Sequence, residues 1–330
     1  MRAVTYERYG GPDVLSVDEV ERPVPGPKQL LIEVEAVEAT KTDCELRSFR
    51  HDVKWFKVPL RLAVGVFRPR SKVLGMYFAG TIAAVGADVD DFAVGDAVYG
   101  SSGLRGGAYG EYVAVPAKAV LSAKPATLTF AEAAAVPLGA LNALHFMRLA
   151  DVRPGERVLV NGAGGVIGAF GVQIATAMGG AVTGVDAAHK QQFVRSQGAV
   201  DFVDYRTTNV IDLDERFDVI FDMIPSASVS AMLDLLTPHG RYAHGNPRLT
   251  TLLRSPLVNR RSDRQMIVRF AAESRAGLRE LADRFDTGEL RPIVDRILPM
   301  EDAAEAHRLV ETEQRIGAVV LAIGDRAHER

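Results

Sequence analysis

The chain has 330 residues, of which 47% are hydrophobic and 25% are charged, and its formal net charge is −3. This length exceeds one typical hydrophobic core, so we expect a globular protein of two domains. The small negative charge gives no reason to expect a nucleic acid or an anionic membrane surface as a partner.

The N-terminus, MRAVTYERYG, lacks the apolar stretch of a secretory signal, and no apolar run is long enough to span a bilayer. We therefore expect a cytoplasmic protein with no membrane partner. Cys44 is the one cysteine, which excludes a disulfide within the chain and a structural zinc site of four cysteines.

The first third of the chain alternates short β-like runs with turns rich in Gly, Pro and Asp. This pattern predicts strands at residues 30–37, 79–85, 97–99 and 111–115 in an antiparallel, barrel-like unit. Helical patterns begin near Phe130.

From Pro154 onward, strand and helix patterns alternate. The predicted strands are residues 157–161, 181–186, 201–204, 218–223, 240–244 and 265–270. Six strands joined by crossover helices predict a doubly wound parallel sheet, the Rossmann arrangement of α/β proteins. In the tail, helices at 277–285 and 303–310 and strands at 293–297 and 318–322 are expected to complete the N-terminal unit.

The most informative stretch is residues 157–179, RVLVNGAGGVIGAFGVQIATAMG, which reads as a buried strand, a glycine turn and an apolar helix. Glycines let the backbone approach a phosphate, and the helix N-terminus offers unpaired N–H groups to it. Ala163 replaces the first glycine of the pattern GxGxxG, whose other glycines are Gly165 and Gly168. We predict that a dinucleotide binds at Gly162, Ala163, Gly164, Gly165, Val166 and Ile167; the alternative is a glycine-rich turn that binds nothing.

Several ordered stretches resemble the medium-chain dehydrogenase/reductase superfamily, in its zinc-free branch of quinone and enone reductases. They are MRAVTYERYGGPDVL at the start, residues 73–100, 106–117, 130–146 and 154–168, and RIGAVVLAI near the end. The resemblance implies a discontinuous GroES-like catalytic domain, residues 1–121 and 271–330, around a Rossmann domain of residues 122–270. It also implies hydride transfer from NAD(P)H in the cleft between the domains, often in a homodimer.

Zinc-dependent relatives bind the metal through a cysteine, a Gly-His-Glu and a later cysteine. The matching positions here are Thr40, Gly75-Met76-Tyr77 and a point near Leu138, which do not form a zinc ligand set. We expect Cys44 to have no Cys or His partner nearby, which favours a small buried hydrophobe over a nucleophile. The sequence therefore predicts an enzyme without a metal.

Two features of the sequence disagree about whether the nucleotide is NADH or NADPH. Asp186 follows the second strand of the sheet, where a carboxylate binds the ribose hydroxyl of NADH and repels the phosphate of NADPH. Lys190 and Tyr205 match positions that contact this phosphate in NADPH-using relatives, although Lys190 is also readable as an exposed helix lysine and Tyr205 as a core-edge residue. We favour NADH.

The resemblance also assigns the remaining site residues. It puts Thr40, Lys41 and Asp43 on the loop that faces the nicotinamide, and Asn142 at the start of a helix turn in place of a threonine that contacts the cofactor. It adds His244, Gly245, Asn246 and Arg315 as further cofactor contacts. Tyr77, in place of an acidic residue, is either a donor to a carbonyl oxygen or a packed aromatic; Lys41 either stabilises an enolate or pairs with Asp43.

Two features depart from the family pattern: Tyr77 in place of an acidic residue, and the loop after the fourth strand. The family's Asp-x-Val-Gly after the fourth strand reads Asp222-Met223-Ile224-Pro225, and proline removes an N–H from that loop. Residues 50–72 are both apolar and basic, with Trp55 and Phe56 among them. Three interpretations of this segment stay open. It is a lid over a large apolar substrate pocket, a loop packed on the protein surface or, least favoured, a helix on a membrane surface.

The sequence thus favours an NAD(P)H-dependent reductase of a small apolar or aromatic enone or quinone, including a bulky natural-product intermediate. Reduction of such a substrate needs hydrogen-bond donors around one oxygen rather than a Lewis acid. Two alternatives stay open: a zinc-free alcohol dehydrogenase and a non-catalytic dinucleotide-binding protein.

Overall fold

The computed structural model describes residues 1–50, 61–62, 64–224, 228–245 and 249–330. The strands within these residues are, in chain order, β1 (Arg2–Thr5), β2 (Ser16–Glu19), β3 (Gln29–Ala39), β4 (Tyr77–Val85), β5 (Ala97–Ser101), β6 (Tyr112–Pro116), β7 (Leu121–Ala123), β8 (Arg157–Asn161), β9 (Ala181–Asp186), β10 (Asp201–Asp204), β11 (Phe217–Asp222), β12 (Leu236–His244), β13 (Gln265–Val268), β14 (Val294–Pro299) and β15 (Ala318–Ala322).

The α-helices of the same residues are α1 (Lys41–Ser48), α2 (Phe130–Ala134), α3 (Pro137–Ala150), α4 (Val166–Ala177), α5 (Gln191–Ser196), α6 (Val229–Asp234), α7 (Leu249–Arg261), α8 (Arg275–Asp286) and α9 (Ala303–Glu311). The chain divides into two compact units. Unit 1 comprises Met1–Pro137 and Ser274–Arg330, and unit 2 comprises Leu138–Glu273.

Unit 1 is built on a sheet of seven strands in the order β14-β15-β3-β4-β5-β7, with β6 also paired to β3. The pairs that involve β3 are antiparallel, and β15 runs antiparallel beside it with Val320 opposite Glu38. The C-terminal tail therefore completes the sheet of the N-terminal unit, which confirms that prediction. Nine of the eleven residues of the long strand β3 are buried, Glu35 and Glu38 among them, because the strand lies in the middle of the sheet.

The first boundary between the units lies at Pro137, sixteen residues beyond the expected 121. The reason is local packing: β7 pairs with β5, and α2 lies against β3 and β4. In addition, the Phe130 N–H donates to the Glu329 carbonyl near the C-terminus. Residues 122–137 thus belong physically to the unit that the chain end completes.

Unit 2 is a parallel sheet of six strands in the order β10-β9-β8-β11-β12-β13. This is the doubly wound order in which ligands bind at the carboxyl edge, where the order reverses between β8 and β11. Val158, Leu159 and Val160 of β8 are fully buried, as a strand covered on both faces requires. The Rossmann prediction is confirmed; β11 and β13 end one and two residues before the predicted bounds.

The outer edge of this sheet, at β13, is covered by α7. The Asn259 side chain of α7 accepts from the Met266 N–H at 2.7 Å and donates to the Met266 carbonyl at 3.0 Å. One amide side chain thereby takes the place of a neighbouring strand at that residue.

Among the residues described above, no helix combines the length and the apolar character needed to cross a bilayer.

Candidate active site

The glycine turn, residues 162–165, connects β8 to α4. Gly162 has a φ of +86°, which a residue with a Cβ adopts only under strain. Gly165 is the N-cap of α4, and as a glycine it has no side chain with which to cap the N–H groups of the first helical turn. A Cβ on Gly168 would lie 2.0 Å from the Gly162 carbonyl oxygen, so glycine is required for the helix to pack this close to the turn. These features fit the predicted pyrophosphate site.

Asp186, at the end of β9, fixes the conformation of this turn. Its Oδ2 accepts from the Gly164 N–H at 2.8 Å, and its Oδ1 accepts from the Ala187 N–H at 2.8 Å. The Lys190 Nζ lies 3.7 Å from Oδ1, and both side chains are buried. The interpretation of Lys190 as an exposed helix lysine is therefore wrong, because its side chain is buried and its aliphatic part packs over Gly164.

Tyr205 follows β10 and is exposed, so the core-edge reading of this residue is also wrong. Its backbone N–H donates to the Asp186 carbonyl at 3.3 Å. Asp186, Lys190 and Tyr205 thus belong to one group at the carboxyl ends of β9 and β10, on the side of the sheet where the adenosine half of a dinucleotide lies in this strand order.

A second polar group joins the carboxyl ends of β8, β11 and β12. The fully buried Asp222 accepts from the Tyr242 hydroxyl at 2.6 Å, the Asn161 side-chain amide at 2.9 Å and the Ile224 N–H at 2.9 Å. Burial raises the pKa of Asp222, while these donors and His244 oppose that shift. One carboxyl group therefore positions the starts of three loops at the edge of the sheet where a cofactor would bind.

The structure describes the surroundings of two of the predicted cofactor contacts, His244 and Asn142. His244 is buried, stacks on the Tyr242 ring and has its Nδ1 3.2 Å from the Asp222 carbonyl oxygen, so the Nδ1 side of the ring faces the network. Asn142 lies in the middle of α3, not at the start of a helix turn, and its amide donates to the Leu138 carbonyl at 2.8 Å. Pro225 and Asn246 lie outside the described residues.

In unit 1, Thr40 is the N-cap of α1 rather than a loop residue. Its hydroxyl donates to Asp43 Oδ2 at 2.5 Å and accepts from the Asp43 N–H, forming a capping box. Asp43 Oδ1 accepts from the Gly75 N–H at 3.0 Å. Burial raises the pKa of Asp43 to about 6, although these hydrogen bonds oppose the shift. Asp43 therefore joins the start of α1 to the segment that precedes β4.

The other predicted catalytic residues of unit 1 differ in exposure. Tyr77 is buried at the start of β4, opposite Ser101. The half-exposed Lys41 forms an ion pair with Glu313 at 3.0 Å, whereas its suggested partner Asp43 is fully buried beneath it in the capping box. Arg315 donates to the Gly317 carbonyl at 3.3 Å and lies in unit 1, while the glycine turn lies in unit 2.

Sequence reasoning missed the environment of Cys44. Its Sγ lies 3.3 Å from Nδ1 of the buried His307, whose Nε2 lies 3.0 Å from the Tyr109 hydroxyl. The statement that Cys44 has no histidine nearby is thus wrong in space, because α9 brings His307 against α1 across 263 positions of sequence. Burial raises the pKa of the thiol, and burial and Arg47 lower the pKa of His307 to about 3, so the pair is neutral.

Unit 1 also holds buried polar atoms that have no hydrogen-bond partner among the described residues. Both carboxyl oxygens of Glu38 are in this state, as are Nε and Nη1 of Arg47. Burial raises the pKa of Glu38 to about 8, which the charge of Arg315 partly offsets. No sequence pattern marks Glu38, since the same strand carries two more glutamates, the exposed Glu33 and the buried Glu35.

A catalytic zinc does not fit the residues present. Thr40, Met76 and Tyr77 occupy the positions that match the zinc ligands, and none of these side chains is a usual zinc ligand. Across the described parts of the chain, no three His, Cys, Asp or Glu side chains are arranged to hold a metal ion.

Of the apolar and basic segment 50–72, the structure describes residues 50, 61–62 and 64–72, so the prediction for Trp55 and Phe56 lies outside the described residues. The Arg61 guanidinium stacks over the rings of Tyr9 and Phe49 at 4.1 and 4.0 Å, and the Tyr9 hydroxyl donates to the Gly65 carbonyl at 2.8 Å. These contacts hold the end of the segment on unit 1.

Comparisons with known proteins agree with this architecture. An alcohol dehydrogenase GroES-like domain model matches residues 26–125, and a zinc-binding dehydrogenase model matches residues 197–321. The chain is 31% identical to a quinone oxidoreductase of Sus scrofa over 98% of both chains. It is 30% identical to an NADPH-dependent alkenal/one oxidoreductase of Arabidopsis thaliana, over 97% of this chain and 79% of that protein.

The structure is also similar to that of a quinone oxidoreductase from Coxiella burnetii, with a TM-score of 0.86, 25% identity and coverage of 98% of this chain and 99% of the other. Fold, domain models and full-length relatives thus lead to one assignment. The chain belongs to the medium-chain dehydrogenase/reductase superfamily, in its branch of quinone and enone reductases.

Proposed function

We propose that this protein reduces quinones or α,β-unsaturated carbonyl compounds with NAD(P)H. The glycine turn carries the proposal, because its conformation is fixed by Asp186 and its glycines leave the N–H groups of α4 open to a pyrophosphate. Full-length similarity to quinone and alkenal/one oxidoreductases supports the same reaction.

The residues that would hold the dinucleotide are those of the glycine turn, with Val166, Ile167, Asp186 and Gly245. When bound, the nicotinamide supplies a hydride. For an enone, the hydride adds to the β-carbon and a proton to the α-carbon; for a quinone, hydride and proton together give the hydroquinone. In both cases negative charge develops on the substrate oxygen, where a hydrogen-bond donor lowers the barrier.

Tyr77 and Lys41 are the donors that we propose for this oxygen. Purified protein is assayed with NADH and NADPH against benzoquinone, phenanthrenequinone and cyclohexenone. Tyr77→Phe and Lys41→Ala should each lower kcat about tenfold, in proportion to the loss of one hydrogen bond to a charged oxygen. Tyr112→Phe and Lys72→Ala are matched controls, because these exposed side chains pair with Glu33 and Glu7 elsewhere in unit 1.

If the wild-type protein binds a nucleotide but reduces none of the three substrates, the proposed reaction is contradicted and a non-catalytic binding protein is favoured. Wild-type rates in both Tyr77→Phe and Lys41→Ala would leave the reaction in place and remove the two donors from it.

We further propose a preference for NADH. The ribose phosphate of NADPH would be repelled by the nearby Asp186 carboxylate. Lys190 offsets this repulsion only in part, because it already pairs with Asp186. Asp186→Asn keeps an acceptor for the Gly164 N–H but removes the charge, so it should tighten NADPH binding about tenfold relative to NADH. Calorimetric titration of both nucleotides tests this; tighter NADPH binding by the wild type would reverse the preference.

A homodimer is the assembly that we propose from the family resemblance. Sedimentation equilibrium over a range of protein concentrations tests it, and a monomer at all concentrations would contradict it.

A further inference from the structure

Residues 64–70 of unit 1 form a tightly closed loop, which we call the tip loop. The Arg70 N–H donates to the Val64 carbonyl at 2.8 Å, and this hydrogen bond closes the loop. Gly65 has a φ of +125°, and a Cβ on it would lie 2.0 Å from the Arg68 carbonyl oxygen, so the turn requires glycine.

Contacts from outside the tip loop fix its conformation. The Tyr9 hydroxyl donates to the Gly65 carbonyl at 2.8 Å, and Nε of Arg61 donates to the Val66 carbonyl at 2.7 Å. The Arg61 guanidinium also stacks over the Tyr9 ring. The backbone of the tip loop is therefore preorganised without any partner.

The apolar side chains of this region are nevertheless in contact with water. Phe67 is 91% exposed, and Leu62 and Val66 are 59% and 42% exposed. A single exposed hydrophobic residue is common and needs no explanation, but three of them within six residues mark an interaction surface.

Positive charge surrounds the same apolar tip. Residues 61–72 contain no Asp or Glu and four cationic residues, Arg61, Arg68, Arg70 and Lys72. One acidic neighbour offsets part of this charge, because Glu7 pairs with Lys72 at 2.7 Å. The net charge of the whole chain is −3, and the expectation of no membrane partner, which rests on that total, does not account for this local positive charge.

We propose that the tip loop binds the surface of an anionic phospholipid membrane, with Phe67 and Val66 among the acyl chains and the surrounding cationic side chains at the headgroup phosphates. Aromatic side chains favour the interface between headgroups and acyl chains, and each nearby Arg or Lys adds attraction to anionic lipids. The inference does not depend on the proposed reaction. It also differs from a membrane-surface helix, because a loop carries the apolar side chains.

Two other occupants fit the tip loop less well. A second copy of this chain would bring the same four cations against these in a symmetric contact, and like charges repel. A nucleic acid would neutralise the cations, but Leu62 and Val66 lack the rings that stack on bases. An anionic bilayer accommodates both the charge and the aliphatic side chains.

The test measures co-sedimentation of the purified protein with phospholipid vesicles. One set of vesicles is phosphatidylcholine alone, and the other contains about 30% phosphatidylglycerol, which supplies the negative charge. We expect binding to the anionic vesicles at about 0.1 M NaCl and much weaker binding at about 0.5 M, since salt screens the attraction. Binding to phosphatidylcholine alone should be weak at both concentrations.

Four variants locate the contact. Phe67→Ser should weaken binding to the anionic vesicles about tenfold, and Arg68→Gln about fivefold. Phe270→Ser and Arg260→Gln are matched controls, because these exposed residues belong to unit 2, and they should leave binding unchanged. All four side chains are exposed, so the midpoint of urea unfolding should not change.

A second measurement distinguishes insertion from attraction by charge alone. Phe67→Trp and Phe270→Trp each add one tryptophan to the same background, that of Trp55. Vesicles with brominated acyl chains quench an indole ring that enters the bilayer. We expect quenching beyond that of the wild type for Phe67→Trp and none for Phe270→Trp.

The inference is overturned if the wild type does not bind the anionic vesicles, if Phe67→Ser and Phe270→Ser have equal effects, or if Phe67→Trp shows no added quenching. Two further outcomes would also overturn it. If Phe67→Ser weakens binding of a polyuridine RNA as much as it weakens vesicle binding, the tip loop is a nucleic-acid site. If Phe67→Ser converts a dimer to a monomer, the loop is an interface between copies of the chain.

Discussion

Two buried carboxyl groups of unit 2 contrast with one buried carboxyl group of unit 1. In unit 2 the buried Asp186 and Asp222 lie at the carboxyl edge of a parallel sheet, and the donors around each occupy both carboxyl oxygens. In unit 1 the buried Asp43 is bonded in the same way, but among the described residues neither carboxyl oxygen of the buried Glu38 has a hydrogen-bond partner. The comparison indicates that the two carboxyl groups of unit 2 are preorganised, whereas Glu38 carries a desolvation cost in the interior of unit 1.

The largest effect that we expect is in unit 2, from Gly168→Ala. The added Cβ would lie 2.0 Å from the Gly162 carbonyl oxygen, so α4 must move away from the turn at a cost of roughly 4 kcal/mol in the free energy of unfolding. Urea unfolding measures this cost. Gly165→Ala is the control, because its Cβ meets only ordinary contacts; it should cost under about 1 kcal/mol while weakening nucleotide binding. Equal stability of the two variants would refute the claim that packing requires Gly168.

Next in size is Asp222→Ala, which tests the preorganisation of unit 2. It leaves the Tyr242 hydroxyl, the Asn161 amide and the Ile224 N–H without their acceptor, so the free energy of unfolding should fall by about 3 kcal/mol. Tyr242→Phe removes one donor and should cost about 1 kcal/mol. A loss no greater than that of Tyr242→Phe would mean that the network is not a unit.

Glu38→Gln tests the opposite property of unit 1. The folded protein keeps the Glu38 proton up to about pH 8, while the unfolded chain releases it near pH 4.5, so the stability of the wild type falls as the pH rises between these values. Glu38→Gln removes this fall. It should equal the wild type at pH 4 and exceed it by a few kcal/mol at pH 9, in chemical unfolding at each pH. A difference that does not change with pH would show that Glu38 has a partner.

The smallest effect belongs to the half-exposed pair of Lys41 and Glu313. Lys41→Ala and Glu313→Ala should each change the free energy of unfolding by less than about 0.5 kcal/mol, as exposed ion pairs do. Only Lys41→Ala should lower kcat. If Glu313→Ala lowers kcat equally, Lys41 acts through the pair rather than on the substrate.

The two units also differed in how far the sequence revealed them. Unit 2 follows from local patterns: β8, β9 and β10 have the predicted bounds, and the register of a parallel sheet then places Asp222 and His244 at one edge. The burial of Lys190 could not be foreseen, because a lysine four residues after an aspartate is equally compatible with an exposed helix.

In unit 1 the informative contacts span long stretches of chain. His307 reaches Cys44 across 263 positions, and no periodicity predicts which helix faces which. Thr40 followed three residues later by Asp43 is the pattern of a capping box. This local pattern predicts that both residues lie at the start of a helix and not on a loop.

The pairing of Asn259 with Met266 bears on how two copies could associate. Joining two such sheets edge to edge through β13, about a twofold axis, requires new main-chain bonds at Met266, whose N–H and carbonyl are already occupied. The Asn259 side chain would first have to move away, which breaks both of its hydrogen bonds to Met266. Asn259→Ala would therefore leave the N–H and carbonyl of Met266 unpaired at the edge of the sheet, which favours the addition of a strand from another chain, including aggregation.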